Sequence, residues 1–115
     1  MSALMQMKCT ACRAGEPPVT NTEIEEWQPL IPNWQLVQRN NMRQLERTFK
    51  FKNFAEALAF TIRVGEIAES EGHHPDVLTT WGKVTIWWTT HTIKDLHRND
   101  FIMAAKTDRV FATMN

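Results

Sequence analysis

The chain is poor in the features that mark membrane, secreted or nucleic-acid-binding proteins. Its 13 basic and 13 acidic residues cancel, so it has no net positive footprint to drive non-specific binding to phosphate backbones, although a local basic patch stays open. Apolar runs last only a few residues, too short to span a bilayer. The N-terminus has neither the charged start nor the apolar stretch of a secretory signal, and a cytoplasmic location is expected. No internal repeat or low-complexity segment interrupts the pattern. The two cysteines are not needed as staples, because 115 residues with 43% hydrophobic content suffice for one core.

Those cysteines, Cys9 and Cys12, form a C-x-x-C in a Met-rich N-terminal stretch. Such spacing can bind zinc or run thiol chemistry. A structural zinc site needs about four ligands and no second such pair follows, so a bland terminal pair stands beside the zinc and redox readings.

What is present reads as alternating helices and hairpins. Thr20 or Asn21 can cap a short helix through Glu23, Ile24 and Trp27, stopped by Pro29 and Pro32. Residues 34–38 read as a strand, Arg39-Asn40-Asn41 as a turn, and residues 45–51 as a second strand with Leu45, Arg47, Phe49 and Phe51 on one face. Asn53 caps the clearest helix, in which Phe54, Leu58, Ile62 and Gly65 predict a buried stripe that Glu69 continues. Gly72 suits a left-handed helix end.

Residues 77–81 and 84–90 predict another hairpin around Gly82, with Val84, Ile86 and Trp88 on one face and Thr85, Trp87, Thr89 and His91 on the other. A last helix begins near Arg98 and carries Phe101, Ile102, Ala105, Val110 and Phe111. The order α-β-β-α-β-β-α defines an α+β fold, a four-stranded antiparallel sheet covered on one face by helices. Such a sheet leaves two open edges, and self-association is expected to cover them.

Three of the four histidines, His73, His74 and His91, lie on either side of the second hairpin. Pairing about Gly82 sets residues in the low seventies opposite 91 or 92, which brings the three together. Imidazole titrates near neutrality and suits acid–base work. The bland alternative is a surface pair and an unrelated strand end.

Glu69 sits at a helix C-terminus, where the macrodipole favours cations; it either orients a histidine or is a solvated acid. Neutral imidazoles with Glu69 could also form a three-ligand zinc site, although H-E-x-x-H spacing is absent. Trp34, Trp81, Trp87 and Trp88 read first as core, with Trp34 and Trp87 the candidates to face a heterocycle. Asp100, in the first turn of the last helix, reads most simply as a cap.

The set Glu69-x-x-x-His73-His74-Pro75, Trp81, His91 and Asp100 resembles the signature of the pterin-4a-carbinolamine dehydratases. The likeness runs from about residue 20 to 112 and includes Trp34, Phe49-Lys50-Phe51-Lys52-Asn53-Phe54 and Thr90-His91. It divides the chain into a mobile extension, residues 1–19, similar to that of bacterial members, and a single dehydratase domain, residues 20–115.

The resemblance implies a lyase that eliminates water from 4a-hydroxytetrahydropterin and so recycles the cofactor of aromatic amino acid hydroxylases. It implies no metal or other cofactor, a dimer or tetramer, a functional link to such a hydroxylase, and neither nucleic acid nor membrane as partner. His73 and His74 would protonate the leaving hydroxyl, and His91 would orient substrate or act as base. Glu69 would fix an imidazole, and Trp34 would wall the pterin ring. Gly72, Thr89, Thr90 and Thr92 would contact its heteroatoms, with Asp100 completing the set. Asp95 and His97 depart from the pattern, His97 standing where a Ser-like cap would suit better. Because an animal member of the family binds a homeodomain transcription factor, a non-catalytic protein-binding or coactivator role on the same fold is the alternative.

Overall fold

The computed structural model describes residue 4 and residues 16–114; Cys9, Cys12 and most of the expected extension lie outside the described residues. Helix α1, Asn21–Trp27, opens on a capping box. Thr20 Oγ1 accepts the Glu23 N–H at 3.1 Å and Glu23 Oε1 accepts the Thr20 N–H at 2.9 Å. Pro29 ends it in one 3₁₀ turn, Gln28–Leu30.

Strands β1, Gln35–Arg39, and β2, Met42–Lys50, meet through Asn40-Asn41, both at positive φ (55° and 62°). Positive φ at both central positions defines the type I′ hairpin, whose twist matches that of the flanking strands. Helix α2, Phe54–Glu71, starts where Asn53 accepts the Glu56 N–H and stops at Gly72, φ +66°, with the His73 N–H on Ala68 O at 3.1 Å. Strands β3, Asp76–Thr80, and β4, Lys83–Trp88, follow, joined through Gly82 at φ +75°. A Cβ on Gly82 would sit 3.3 Å from Phe51 O. Helix α3, Arg98–Met114, completes the α-β-β-α-β-β-α order.

The sheet runs β1-β2-β4-β3, antiparallel throughout, with β1 and β3 at the edges. Leu45, Phe49, Val84, Ile86 and Trp88 are buried under the helices, which confirms the faces expected for β2 and β4. Phe49 gathers Phe60 of α2 at 4.7 Å and Phe111 of α3 at 5.0 Å between ring centroids. Leu4, Val19, Ile31 and Leu96 join the same core, and Asn99 through Ala105 of α3 are all buried.

The expected stripe on α2 is corrected. Phe54, Leu58 and Ile62 are 45%, 42% and 54% exposed, and the buried row is Ala57, Phe60, Val64 and Ala68. Both rows have helical spacing. The second turns inward because its alanines let the helix approach while Phe60 fills the gap against Phe49 and Phe51. No described helix is long and apolar enough to cross a membrane.

Candidate functional site

Two chain segments frame a cavity of about 260 Å³: Gly72, His73 and His74 at the exit of α2, and Thr89, Thr90, His91 and Thr92 beyond β4. The register explains their meeting. β3 and β4 pair Asp76 with Trp87, and the same register continued sets Gly72 opposite His91. Larger hollows, including one of about 540 Å³ beside Pro17 and His97 and one of about 460 Å³ between α2 and α3, do not gather histidines in this way.

His73 is the most tightly held of the three. Its ring stacks on Trp88, centroids 5.5 Å apart and planes within 10°, and its Nε2 lies 2.6 Å from Asp100 Oδ1. Asp100 is fully buried, and its Oδ2 accepts two further bonds, from the Thr90 hydroxyl and the His97 N–H, each 2.9 Å. Its other two contacts come from an O–H and an N–H, so the set is complete when His73 Nε2 is the donor to Oδ1. Asp100 is also the third residue of α3, and its bond to the His97 N–H is half of a capping box. His97 supplies the other part in place of a hydroxyl, with Nδ1 accepting the Asn99 N–H at 3.1 Å. The expected cap and the expected site residue are therefore one carboxylate using two oxygens.

His74 has a similar bond in a different setting. Its Nε2 lies 2.6 Å from Glu69 Oε1, but the side chains are 62% and 81% exposed. His91 is exposed and its side chain has no hydrogen-bond or ion-pair partner among the described residues. It rides a closed loop in which Thr90 and Asp95 bridge and the Ile93 and Lys94 N–H groups bond back to Thr90 O and His91 O at 3.2 and 3.3 Å. The Thr89 hydroxyl donates to Arg43 O at 2.8 Å and that of Thr90 to Asp100, so both donors serve the scaffold, whereas Thr92 is exposed.

Trp34 does not reach this cavity. It is 2% exposed, packs on Phe49, and donates its indole N–H to Asp108 at 2.7 Å, so the expected ring-walling role gives way to a core role. Burial raises the Asp108 carboxyl above its ordinary range, against the lowering effect of Trp34 and Arg47. Trp87 is also spent elsewhere, donating to Glu46 at 2.7 Å under the Arg39 guanidinium, 4.0 Å from the ring centre. Among the described residues no three His, Cys, Asp or Glu side chains gather to hold a metal ion; His73 and His74 each face a separate carboxylate instead.

Sequence reasoning passed over two ion pairs beside the site. Arg39 reaches Asp76 at 2.7 Å, and Arg43 grips both oxygens of Asp95 at 2.7 and 3.2 Å while also donating to Val19 O at 3.3 Å. Burial opposes ionisation of Asp95, yet the Arg43 hydrogen bond, the Leu96 N–H and the Arg43 charge together hold its carboxyl below the ordinary range. The available signal was an acid placed shortly after each histidine segment.

Fold and site together define a small α+β domain with a histidine-lined cavity at one end of its sheet. The model of the pterin 4 alpha carbinolamine dehydratase family matches residues 17–110, and the chain belongs to that family. It is similar to the solved transcriptional coactivator/pterin dehydratase from Brucella melitensis, with 28% identity and a TM-score of 0.74 over 82% of this chain and 98% of that one. It also shares its fold with a pterin dehydratase-like protein described as a RuBisCO assembly factor in the α-carboxysome, at 23% identity and a TM-score of 0.58 over 68% of this chain and 88% of that one.

Proposed function

We propose that the chain is a hydro-lyase that eliminates water from 4a-hydroxytetrahydropterin by histidine acid–base catalysis in the cytoplasm. One observation carries the reading: two carboxylate-held imidazoles and a third that is exposed line one small cavity. At about 260 Å³ it lies just below the range of roughly 300–1,000 Å³ common for ligand sites, which suits one bicyclic heterocycle with its substituent left outside.

The reaction requires one proton delivered and one removed. A histidine of the pair at 73 and 74 protonates the C4a hydroxyl as the C4a–O bond breaks, and water leaves. His91, across the cavity, takes the N5 proton as the N5=C4a double bond forms, giving the quinonoid dihydropterin. Glu69 and Asp100 orient the two donors, and Gly72, Thr89, Thr90 and Thr92 line the cavity against the ring. The substrate would come from an aromatic amino acid hydroxylase, and the open edges β1 and β3 support a homo-oligomer.

The test is a stopped-flow assay with chemically generated 4a-hydroxytetrahydropterin, with and without EDTA. The reading expects acceleration that chelation leaves unchanged and that His74→Ala reduces by roughly 10²–10⁴. An unaccelerated reaction, or full turnover in the variant, would end it. The exposed Phe54, Leu58 and Ile62 row on α2 favours a second reading, a protein-binding module on the same fold, for which turnover would be dispensable.

A further inference from the structure

The β1–β2 hairpin carries an arginine on each side of its Asn40-Asn41 turn, and the two reach opposite faces of the sheet. Arg39 pairs with Met42 across the strands and shares its face, whereas Arg43, one residue further on, faces the other way. Arg39 crosses the open face over Trp87 to Asp76, two residues after His74. Arg43, on the helix-covered face, grips Asp95, four residues after His91. The two acids thus end the two histidine segments, and both are anchored on one turn.

We infer that this hairpin is a two-armed clamp, Arg39 on Asp76 and Arg43 on Asp95, that sets the separation of the His73-His74 segment from the His91 loop. This rests on the acid–base reading of the cavity for its functional meaning, though not for its geometry. All four are positioning residues, since none lines the cavity.

The arms differ in strength. Arg43–Asp95 has two bonds, with both side chains 25% exposed, and Asp95 also accepts the Leu96 N–H at 2.7 Å. Arg39–Asp76 has one bond with side chains 32% and 44% exposed. Planar two-bond pairing holds geometry better than a single contact. The Asp95 arm also has more to hold, because the His91 side chain has no partner among the described residues and takes its place from its loop. His73, by contrast, is already fixed by Trp88 and Asp100.

The experiment measures kcat and KM for 4a-hydroxytetrahydropterin in wild type, Asp95→Asn, Arg43→Lys, His91→Ala and Asp95→Asn combined with His91→Ala. Asp95→Asn is expected to lower kcat about tenfold with KM little changed, since misplacing a reacting group costs rate. Arg43→Lys, which keeps the charge but not the paired bonds, is expected to fall between. In the His91→Ala background Asp95→Asn is expected to cost nothing further, because both changes then act on one element. A full tenfold loss in that background, or no loss in wild type, overturns the clamp.

Amide hydrogen exchange at Ile93 and Lys94 gives a readout independent of turnover. Exchange at least about tenfold faster in Asp95→Asn is expected from local opening of the loop, and unchanged exchange overturns the clamp. If wild type itself shows no dehydration, the functional reading fails while the exchange result still decides the clamp.

Discussion

His73 with Asp100 and His74 with Glu69 are adjacent histidines with carboxylates at the same 2.6 Å, but the fold treats them in opposite ways. Asp100 is fully buried and answers three donors from the exit of α2, the end of β4 and the start of α3. Glu69 answers one, in water. Distance alone therefore does not measure what a pair contributes. A buried acceptor leaves its donors stranded when removed, whereas an exposed pair is replaced by solvent and screened by salt. His73 is tied into the architecture, whereas His74 is an exposed group held by one solvent-facing bond.

The largest expected effect comes from breaking the buried side. Asp100→Ala should cost about 2–4 kcal/mol, since it strands the His73, Thr90 and His97 donors and removes half of the α3 cap. That corresponds to a thermal midpoint lowered by about 10–20 °C, read by circular dichroism. A smaller loss than in an ordinary surface substitution would show that the three bonds carry no weight.

His73→Ala and His74→Ala sharpen the contrast. Both should lower turnover by roughly 10²–10⁴. Only His73→Ala should also lower the melting temperature, because it empties the space on Trp88 and leaves Asp100 a donor short, whereas His74→Ala should stay within about 0.5 kcal/mol of wild type. Equal melting temperatures would erase the distinction drawn above. Glu69→Gln comes next, with stability changed by less than about 0.5 kcal/mol and turnover reduced far less than by loss of His74 itself.

The smallest effects lie in acid stability, where burial again divides two carboxylates. The Asp95 carboxyl is depressed in the fold, so its contribution is present above the ordinary value of 3.8 and is lost as pH falls below it. The Asp108 carboxyl is raised, so its contribution is present below 3.8 and is lost as pH climbs through its higher folded value. The two oppose each other by linkage. Urea midpoints measured across the acid range should fall less steeply with acid in Asp95→Asn and more steeply in Asp108→Asn.

How much of this was legible in the sequence follows from how far each signal has to reach. Thr20, Asn53, Gly72 and Gly82 are local signals, and each begins, ends or turns an element where expected. The meeting of His91 with His73 and His74 was legible because a single tight turn fixes the register. The buried face of α2 was not, because Phe54-Leu58-Ile62 and Ala57-Phe60-Val64-Ala68 have equal periodicity and only the sheet beneath chooses between them. Trp34 was read first as core, but its indole partner, Asp108, lies 74 residues away and left no local signal. Asp100 was recognised as a cap and as part of a signature. Its bond to His73 crosses 27 residues, and nothing local reveals that its second oxygen is engaged. Arg43 and Asp95, 52 residues apart, gave no periodic signal at all.

The central claim is that the cavity's histidines dehydrate a 4a-hydroxytetrahydropterin. It is tested most directly by stopped-flow decay of that compound with wild type beside the His73→Ala, His74→Ala double variant, folding checked by circular dichroism. The account predicts acceleration by wild type and decay at the uncatalysed rate with the folded double variant. A wild type that does not accelerate decay, or a double variant that still does, would contradict it.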